Sequence, residues 1–304
     1  MLTLSVASGK GGAGKTSIAA ALAASLGSCA IFADCDVDAA NGAIALGATI
    51  EEREPYVAGP GFRVAGESCT GCGLCAEVCR FGAVAKEGAR YAIVPELCER
   101  CGACMDRCPA KAIETYEKRA GELFVSETRL GIPLVHAELA PGEDTSGKLV
   151  AKVRARAKAL AKEGSVIVVD APPGIGCPVI ASITGCDLVV VVIEASASGV
   201  RDARRLAELA LSMERRAVAI VNKAGLDSNM DERALALARE AGISLAGRIP
   251  FDPGLRSAEE SGRTWLSLGG PGGEAVESAM RALGVVVEGL AGRPERIINV
   301  KERP

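Results

Sequence analysis

Histidine is almost missing from the 304-residue chain, which has one, His136. That excludes metal sites built on several imidazoles and any relay needing a second histidine. Aromatic side chains are scarce as well: five Phe, three Tyr and one Trp. The core is therefore expected to be Ala, Val, Leu and Ile, which suits helices packed closely on a parallel sheet better than a β-sandwich. There is no excess of charge of one sign, since 35 Lys plus Arg stand against 38 Asp plus Glu, a net charge of −3. That balance gives no electrostatic reason to expect nucleic acid as a partner. Long apolar runs are lacking too. Stretches such as Val189 to Ile193 have the length of a buried strand and fall far short of a membrane span. A glycine-rich loop begins by Gly9, which leaves no room for a secretory leader before it. The expectation is a reduced, cytoplasmic, soluble protein with no membrane contact and, at 49% hydrophobic residues, a real core.

What the chain has in abundance is cysteine, twelve in all, of which eight lie between Cys69 and Cys108. A disulfide framework is the alternative for such a cluster, but it belongs to small secreted domains. Elsewhere, short apolar runs (Leu2–Ala7, Ala30–Ala33, Val166–Val169, Leu188–Ile193, Ala217–Val221, Leu245–Ile249) alternate with helical stretches. The helices are expected at Lys15–Leu26, Lys148–Glu163, Gly199–Ser212 and Asp231–Ala241. Leu149, Val153, Ala157 and Leu160 share one face of the second of these. Buried strands alternating with amphipathic helices predict a doubly wound, mostly parallel α/β sheet. Residues 60–117 break the rhythm and repeat internally with an offset of 29: Cys69, Cys72, Cys75 and Cys79 map onto Cys98, Cys101, Cys104 and Cys108. Gly73, Ala83 and Val84 map onto Gly102, Ala112 and Ile113 in the same way. A duplicated unit inserted into a surface loop is expected, dividing the chain into 1–59, the insert 60–117, and 118–304. Ser146 is expected to cap a helix, and Arg293–Pro304 reads as a polar tail without a basic amphipathic face.

Gly9-Lys10-Gly11-Gly12-Ala13-Gly14-Lys15-Thr16 fits G-x-x-x-x-G-K-S/T between a strand and a helix. Backbone N–H groups of Gly11, Gly12, Ala13, Gly14, Lys15, Thr16 and Ser17 are expected to curl around phosphate at a helix start. Lys15 should reach the β- and γ-phosphates, and the Thr16 hydroxyl should ligate Mg²⁺. With Lys10 inside the loop, the motif resembles the deviant Walker A signature of the MinD, ParA and nitrogenase iron protein superfamily. The resemblance extends to Asp34-Cys35-Asp36-Val37-Asp38 with Asn41, and to Val166–Asp170 followed by Ala171-Pro172-Pro173-Gly174. It implies that Lys10 crosses a dimer interface to the partner's nucleotide, that Asp36 orients the attacking water, and that Asp170 stands in the outer shell of Mg²⁺. Asn222-Lys223 raises the question of guanine, but position 225 is Gly225, so the carboxylate that would read guanine's edge is missing. In the resembled family an asparagine there contacts adenine, with backbone near Pro250 helping, so ATP is the expected nucleotide.

Cys69-x2-Cys72-x2-Cys75-x3-Cys79 and Cys98-x2-Cys101-x2-Cys104-x3-Cys108-Pro109 match the bacterial ferredoxin spacing twice. That resemblance implies a small α+β ferredoxin-like insert with two [4Fe–4S] clusters. Cys69, Cys72, Cys75 and Cys108 would hold one, and Cys98, Cys101, Cys104 and Cys79 the other. Zinc is the competing occupant, but four-cysteine zinc sites usually use paired C-x2-C knuckles. Arg80 stands where the first run would carry proline. Of the four others, Cys29, Cys35, Cys177 and Cys186, most are expected to be small buried hydrophobes. Cys177 follows Asp170 by seven residues, the spacing of a bridging-cluster cysteine in the nitrogenase iron protein, though the second cysteine such a bridge needs has no match. No role is expected for His136 beyond a structural hydrogen bond.

The combined expectation is a slow, switch-like Mg²⁺-dependent ATPase, working as a homodimer or a heterodimer with a paralogue. Its nucleotide cycle would gate electron transfer through two clusters to a redox or metallocluster client. The alternatives are an Mrp-like cluster carrier, although the C-terminal C-x-x-C of those relatives is absent, and a spatial organiser of the MinD kind.

Overall fold

The computed structural model describes residues 1–143 and 147–292. Ser146 and the 293–304 stretch lie outside the described residues. In chain order the elements are β1 (Leu2–Ala7), α1 (Lys15–Leu26), β2 (Ala30–Asp34), α2 (Gly42–Leu46), β3 (Ala48–Val64), α3 (Leu74–Val78), β4 (Val84–Glu87), β5 (Arg90–Ile93), α4 (Ala103–Asp106), β6 (Ile113–Thr128) and β7 (Pro133–Leu139). They continue with α5 (Gly147–Leu160), β8 (Val166–Asp170), α6 (Cys177–Ile183), β9 (Leu188–Glu194), α7 (Ala197–Ser212), β10 (Ala217–Ala224), α8 (Ser228–Glu240), β11 (Ser244–Pro250), α9 (Pro253–Glu260) and α10 (Gly270–Ala291). Two compact units result: Met1–Glu54 with Leu123–Glu138 and Thr145–Pro304, and Pro55–Glu122 with Leu139–Asp144. The second unit is wider than the 60–117 read from the sequence.

The first unit is built on the sheet of order β11-β10-β9-β1-β8-β2-β7-β6-β3, of which β3 and β6 also give residues to the second unit. The strands from β11 to β7 pair in parallel, with Leu4 of β1 opposite both Val168 and Leu188. Both faces are covered, so successive residues of β9 serve opposite cores. Val190 and Val192 pack with Ile18, Leu22, Met280 and Leu283, whereas Val189, Val191 and Ile193 pack with Leu206, Ala207 and Leu237. A strand buried on both sides reads as a continuous apolar run, which is why these strands were visible in the sequence. In α1, Ile18 to Ala23 is buried without interruption. A helix apolar all round belongs inside the fold, and its alanines let it lie close to the sheet. Ser196 caps α7 by accepting the Gly199 N–H at 3.1 Å, and Asp227 caps α8. The β3–β6–β7 side of the sheet and α10 were not expected. β3 is mostly exposed and carries glycine and proline, so it shows no clean alternation. Among the described residues no helix is long and apolar enough to cross a membrane.

Candidate functional site

β2 and β8 are parallel neighbours with Asp34 opposite Asp170, and the Cys35 N–H donates to the Asp170 carbonyl at 2.9 Å. The acids that follow these strands therefore arrive together beside the loop that links β1 to α1. Thr16 Oγ1 donates to Asp170 Oδ2 at 2.6 Å. Lys15, 5% exposed, holds its Nζ 3.8 Å from Asp36 Oδ2. Asp170 is fully buried and its Oδ1 has no hydrogen-bond partner. Burial pushes its carboxyl up to about 7, against the pull of Lys15 and the Thr16 hydroxyl. Asp36 is raised by partial burial, with Lys15 opposing. Asp34 is raised strongly by burial and by Asp170, although it accepts the Gly42 N–H at 2.8 Å and the Asp36 N–H at 3.1 Å.

These groups edge a cavity of about 890 Å³ lined by Gly11, Gly12, Gly14, Lys15, Thr16, Ser17, Asp36, Asn222 and Pro250. Ala13 and Asp170 are buried and are not part of that lining. The Ala13 carbonyl accepts from Asn222 Nδ2 at 2.8 Å, which ties the loop to the end of β10. Gly14 makes this approach possible: its φ is +91°, and an added Cβ would sit 2.3 Å from Asn222 Nδ2. Sequence reasoning missed Glu259, which accepts from Ser17 Oγ, and Trp265, the chain's one tryptophan; both line the cavity. Neither carries a local signal, because α9 and the turn at Trp265 reach the loop only through the fold.

Lys10 does not line the cavity. Its Nζ donates to Glu194 Oε1 at 2.6 Å, Ser198 Oγ at 3.2 Å and Ser196 Oγ at 3.3 Å within its own chain. Glu194 Oε2 accepts from Lys223 Nζ at 3.0 Å, and Lys223 also donates to the Gly12 carbonyl at 2.7 Å. Partial burial would raise the Glu194 carboxyl, but the hydrogen bonds from Lys10, Lys223 and Ser196 outweigh it and hold it low. Glu194 too was invisible in the sequence, where it ends an apolar strand.

In the second unit the duplication reaches the backbone. Gly71, Gly73 and Gly82 have positive φ, and so do Arg100, Gly102 and Lys111 at the matching positions. The Ala83 N–H donates to Cys79 Sγ at 3.3 Å, and the Ala112 N–H to Cys108 Sγ at 3.3 Å. One small cavity is lined by Cys69, Cys72, Cys75 and Cys108 with Val64, Leu74 and Ile113. Another is lined by Cys79, Cys98, Cys101 and Cys104 with Phe62, Phe81 and Ile93. Each set draws its fourth cysteine from the other run. Among the described residues no three His, Cys, Asp or Glu side chains form a metal-holding group. Backbone N–H groups of Gly71 and Tyr91 lower the Cys69 thiol, whereas burial raises Cys75 and Cys104. Glu143, its side chain 6% exposed, pairs with Lys118 at 2.5 Å and with Arg100.

Of the remaining cysteines, Cys35 and Cys186 are buried, and Cys29 is exposed in the turn after α1. Cys177 is exposed at the start of α6. His136 is buried, stacked on Phe124 at 5.0 Å and bonded through Nε2 to Ser126 Oγ at 2.9 Å; burial lowers it to about 4.

Residues 4–265 match the family model for the CobQ/CobB/MinD/ParA nucleotide binding domain. The chain belongs to this family. Within it, the uncharacterized protein MJ0578 of Methanocaldococcus jannaschii is 33% identical over 230 residues, 75% of this chain and 80% of the relative. Among solved structures, the cell division ATPase MinD of Pyrococcus furiosus superposes with a TM-score of 0.57 at 16% identity, over 94% of this chain and 99% of its own. MinD of Pyrococcus horikoshii, complexed with Mg-ADP, gives 0.58 at 15% identity over 95% and 98%. At these identities the likeness is one of fold. The loop and the acids described above lie within the stretch matched by the family's nucleotide-binding domain.

Proposed function

We propose that the chain is an Mg²⁺-dependent ATPase whose nucleotide-driven pairing, with a second copy or a paralogue, gates electron transfer through two [4Fe–4S] clusters to a client metalloprotein. On the nucleotide side, Lys15 would meet the β- and γ-phosphates, and Gly11 to Ser17 would offer their N–H groups. Asn222 and the backbone near Pro250 would face the base. Thr16 would ligate Mg²⁺, which supplies charge neutralisation at the phosphates. The orphaned Asp170 Oδ1 suits the hydration shell of such an ion. Asp36 would orient the attacking water. The Pyrococcus horikoshii MinD, of similar fold, is complexed with Mg-ADP, which supports a nucleotide with Mg²⁺ as the occupant of the cavity.

One observation carries the redox half: eight cysteines line two cavities four by four, each set completed by the other run. All-thiol donor sets with backbone N–H bonds to sulfur and apolar walls suit [4Fe–4S] clusters, which supply one-electron carriage. Cys69, Cys72, Cys75 and Cys108 would hold one cluster, and Cys79, Cys98, Cys101 and Cys104 the other. A cluster carrier is the second reading, favoured by the exposure of Cys72 and Cys101 at matching positions.

The test is anaerobic reconstitution of the full chain. The expected result is about eight irons per chain, retained through ATP turnover, with paired reduced-cluster signals in electron paramagnetic resonance. Cys104→Ser should remove one signal and leave the other. Iron passed to an apo-acceptor in a Lys15-dependent manner would favour the carrier, and bound zinc with no visible absorption would overturn both.

A further inference from the structure

Lys10 is fully engaged inside its own chain. An ammonium has three N–H donors, and the three acceptors on Lys10 Nζ are Glu194 Oε1, Ser196 Oγ and Ser198 Oγ. No proton is left for a phosphate or for a second chain until at least one of these bonds opens. The strongest, at 2.6 Å, joins two charges in a site where Glu194 is 13% exposed and Lys10 27%. The same carboxylate grips Lys223 through its other oxygen, and Lys223 in turn holds the Gly12 carbonyl. Glu194 therefore ties the loop down at two points, residue 10 directly and residue 12 through Lys223.

We propose that Glu194 is a positioning residue: a carboxylate clasp that keeps Lys10 in cis, which the phosphates of a nucleotide and a second copy of this chain must displace together. This rests on the reading above that the chain is an ATPase that pairs under nucleotide control, and on the expectation from the family resemblance that Lys10 crosses to the partner's nucleotide. The clasp places a threshold on pairing. Without nucleotide, the negative charge facing Lys10 and Lys223 is Glu194. With a triphosphate in the cavity, a second source of negative charge competes for Lys223, which lines that cavity. As Lys223 turns toward phosphate, Glu194 loses one of its two cations and the loop loses its anchor at Gly12. Lys10 is then freed more readily. Charge drives the exchange, so a residue that keeps the shape of Glu194 and loses its charge should mimic the effect of nucleotide.

The experiment measures dimerisation of the full chain by sedimentation velocity with Mg²⁺ and a non-hydrolysable ATP analogue, beside binding of that analogue to dilute protein followed by Trp265 emission. Glu194→Gln is expected to tighten the dimer by about tenfold, the scale of a charge-assisted hydrogen bond discounted for partial exposure. Glu194→Asp, which restores the charge on a shorter stem, should fall between Gln and the parent. Ser198→Ala removes an acceptor at 3.2 Å without touching a helix cap and should shift the dimer constant in the same direction by about twofold, so the test survives if the Gln variant fails to fold. A dimer constant unchanged or weakened in both variants, with analogue binding intact, overturns the clasp and leaves the nucleotide reading standing. No response of the parent protein's Trp265 to any adenine nucleotide overturns the nucleotide reading itself.

Discussion

Gly14→Ala tests whether the loop is held by the close approach of Asn222. Gly14 has φ +91° and ψ 23°, and its added Cβ would meet Asn222 Nδ2 at 2.3 Å and Trp265 Cη2 at 3.2 Å. The left-handed backbone alone costs alanine roughly 1–2 kcal/mol. Moving Asn222 breaks its 2.8 Å bond to the Ala13 carbonyl. Asn222 is buried, so a lost bond there adds about 1–3 kcal/mol. Gly12→Ala is the matched control, since Gly12 has φ +75° but no atom within 4 Å of its added Cβ. It should show the backbone strain and nothing more. Thermal unfolding followed at Trp265 is expected to fall by roughly 5–15 °C in Gly14→Ala and by about a third of that in Gly12→Ala. Affinity for Mg-ATP analogues should drop about tenfold or more in the first variant only, because the loop's N–H groups would be re-aimed. Equal losses in the two variants would refute the steric argument and leave backbone strain as the whole effect.

Two further outcomes are expected. Because burial raises the Asp170 carboxyl to about 7, the free protein carries it protonated below that pH, and a cation bound there requires the anion. The Mg²⁺-dependent part of nucleotide affinity, measured by calorimetry between pH 5.5 and pH 8, should therefore fall by up to about tenfold per unit below 7. Asp170→Asn should erase that slope, and an unchanged slope would sink the assignment. In the second unit, Glu143→Ala should leave Arg100 and Lys118 without their shared carboxylate and destabilise that unit by about 1–3 kcal/mol, read by hydrogen exchange at the residues around Cys98 to Cys104. Protection equal to the parent would place the pair among those that contribute nothing.

The central strands were legible because burial on both faces turns them into uninterrupted Val and Ile runs bounded by turn residues. The loop was legible from the spacing that ends in Lys15 and Thr16, and Asp36 and Asp170 from the family resemblance; the fold brings the four side chains together. β3 was not, since it is an exposed strand at the edge of the sheet, paired with β6 alone, and shows no clean alternation. Glu194, Glu259 and Trp265 were hidden for another reason. Each reaches the site from the far end of an element whose own sequence is explained by packing or capping, so its function exists only in three dimensions. Arg100 and Lys111 illustrate the opposite failure: the duplication was plain in the cysteines, yet at two left-handed positions the second copy carries long basic residues where the first has glycine.

The crossing-over of the fourth cysteine between runs makes the two halves of the duplicated unit mutually obligate. Delete either half, and one pocket keeps three thiols while its twin keeps one, so neither survives as a four-sulfur enclosure. A change in either copy therefore alters both pockets, and loss of a single repeat would leave no four-thiol site behind. The two copies keep all eight sulfurs and differ in what surrounds them, as where Gly71 is matched by Arg100 and Gly82 by Lys111.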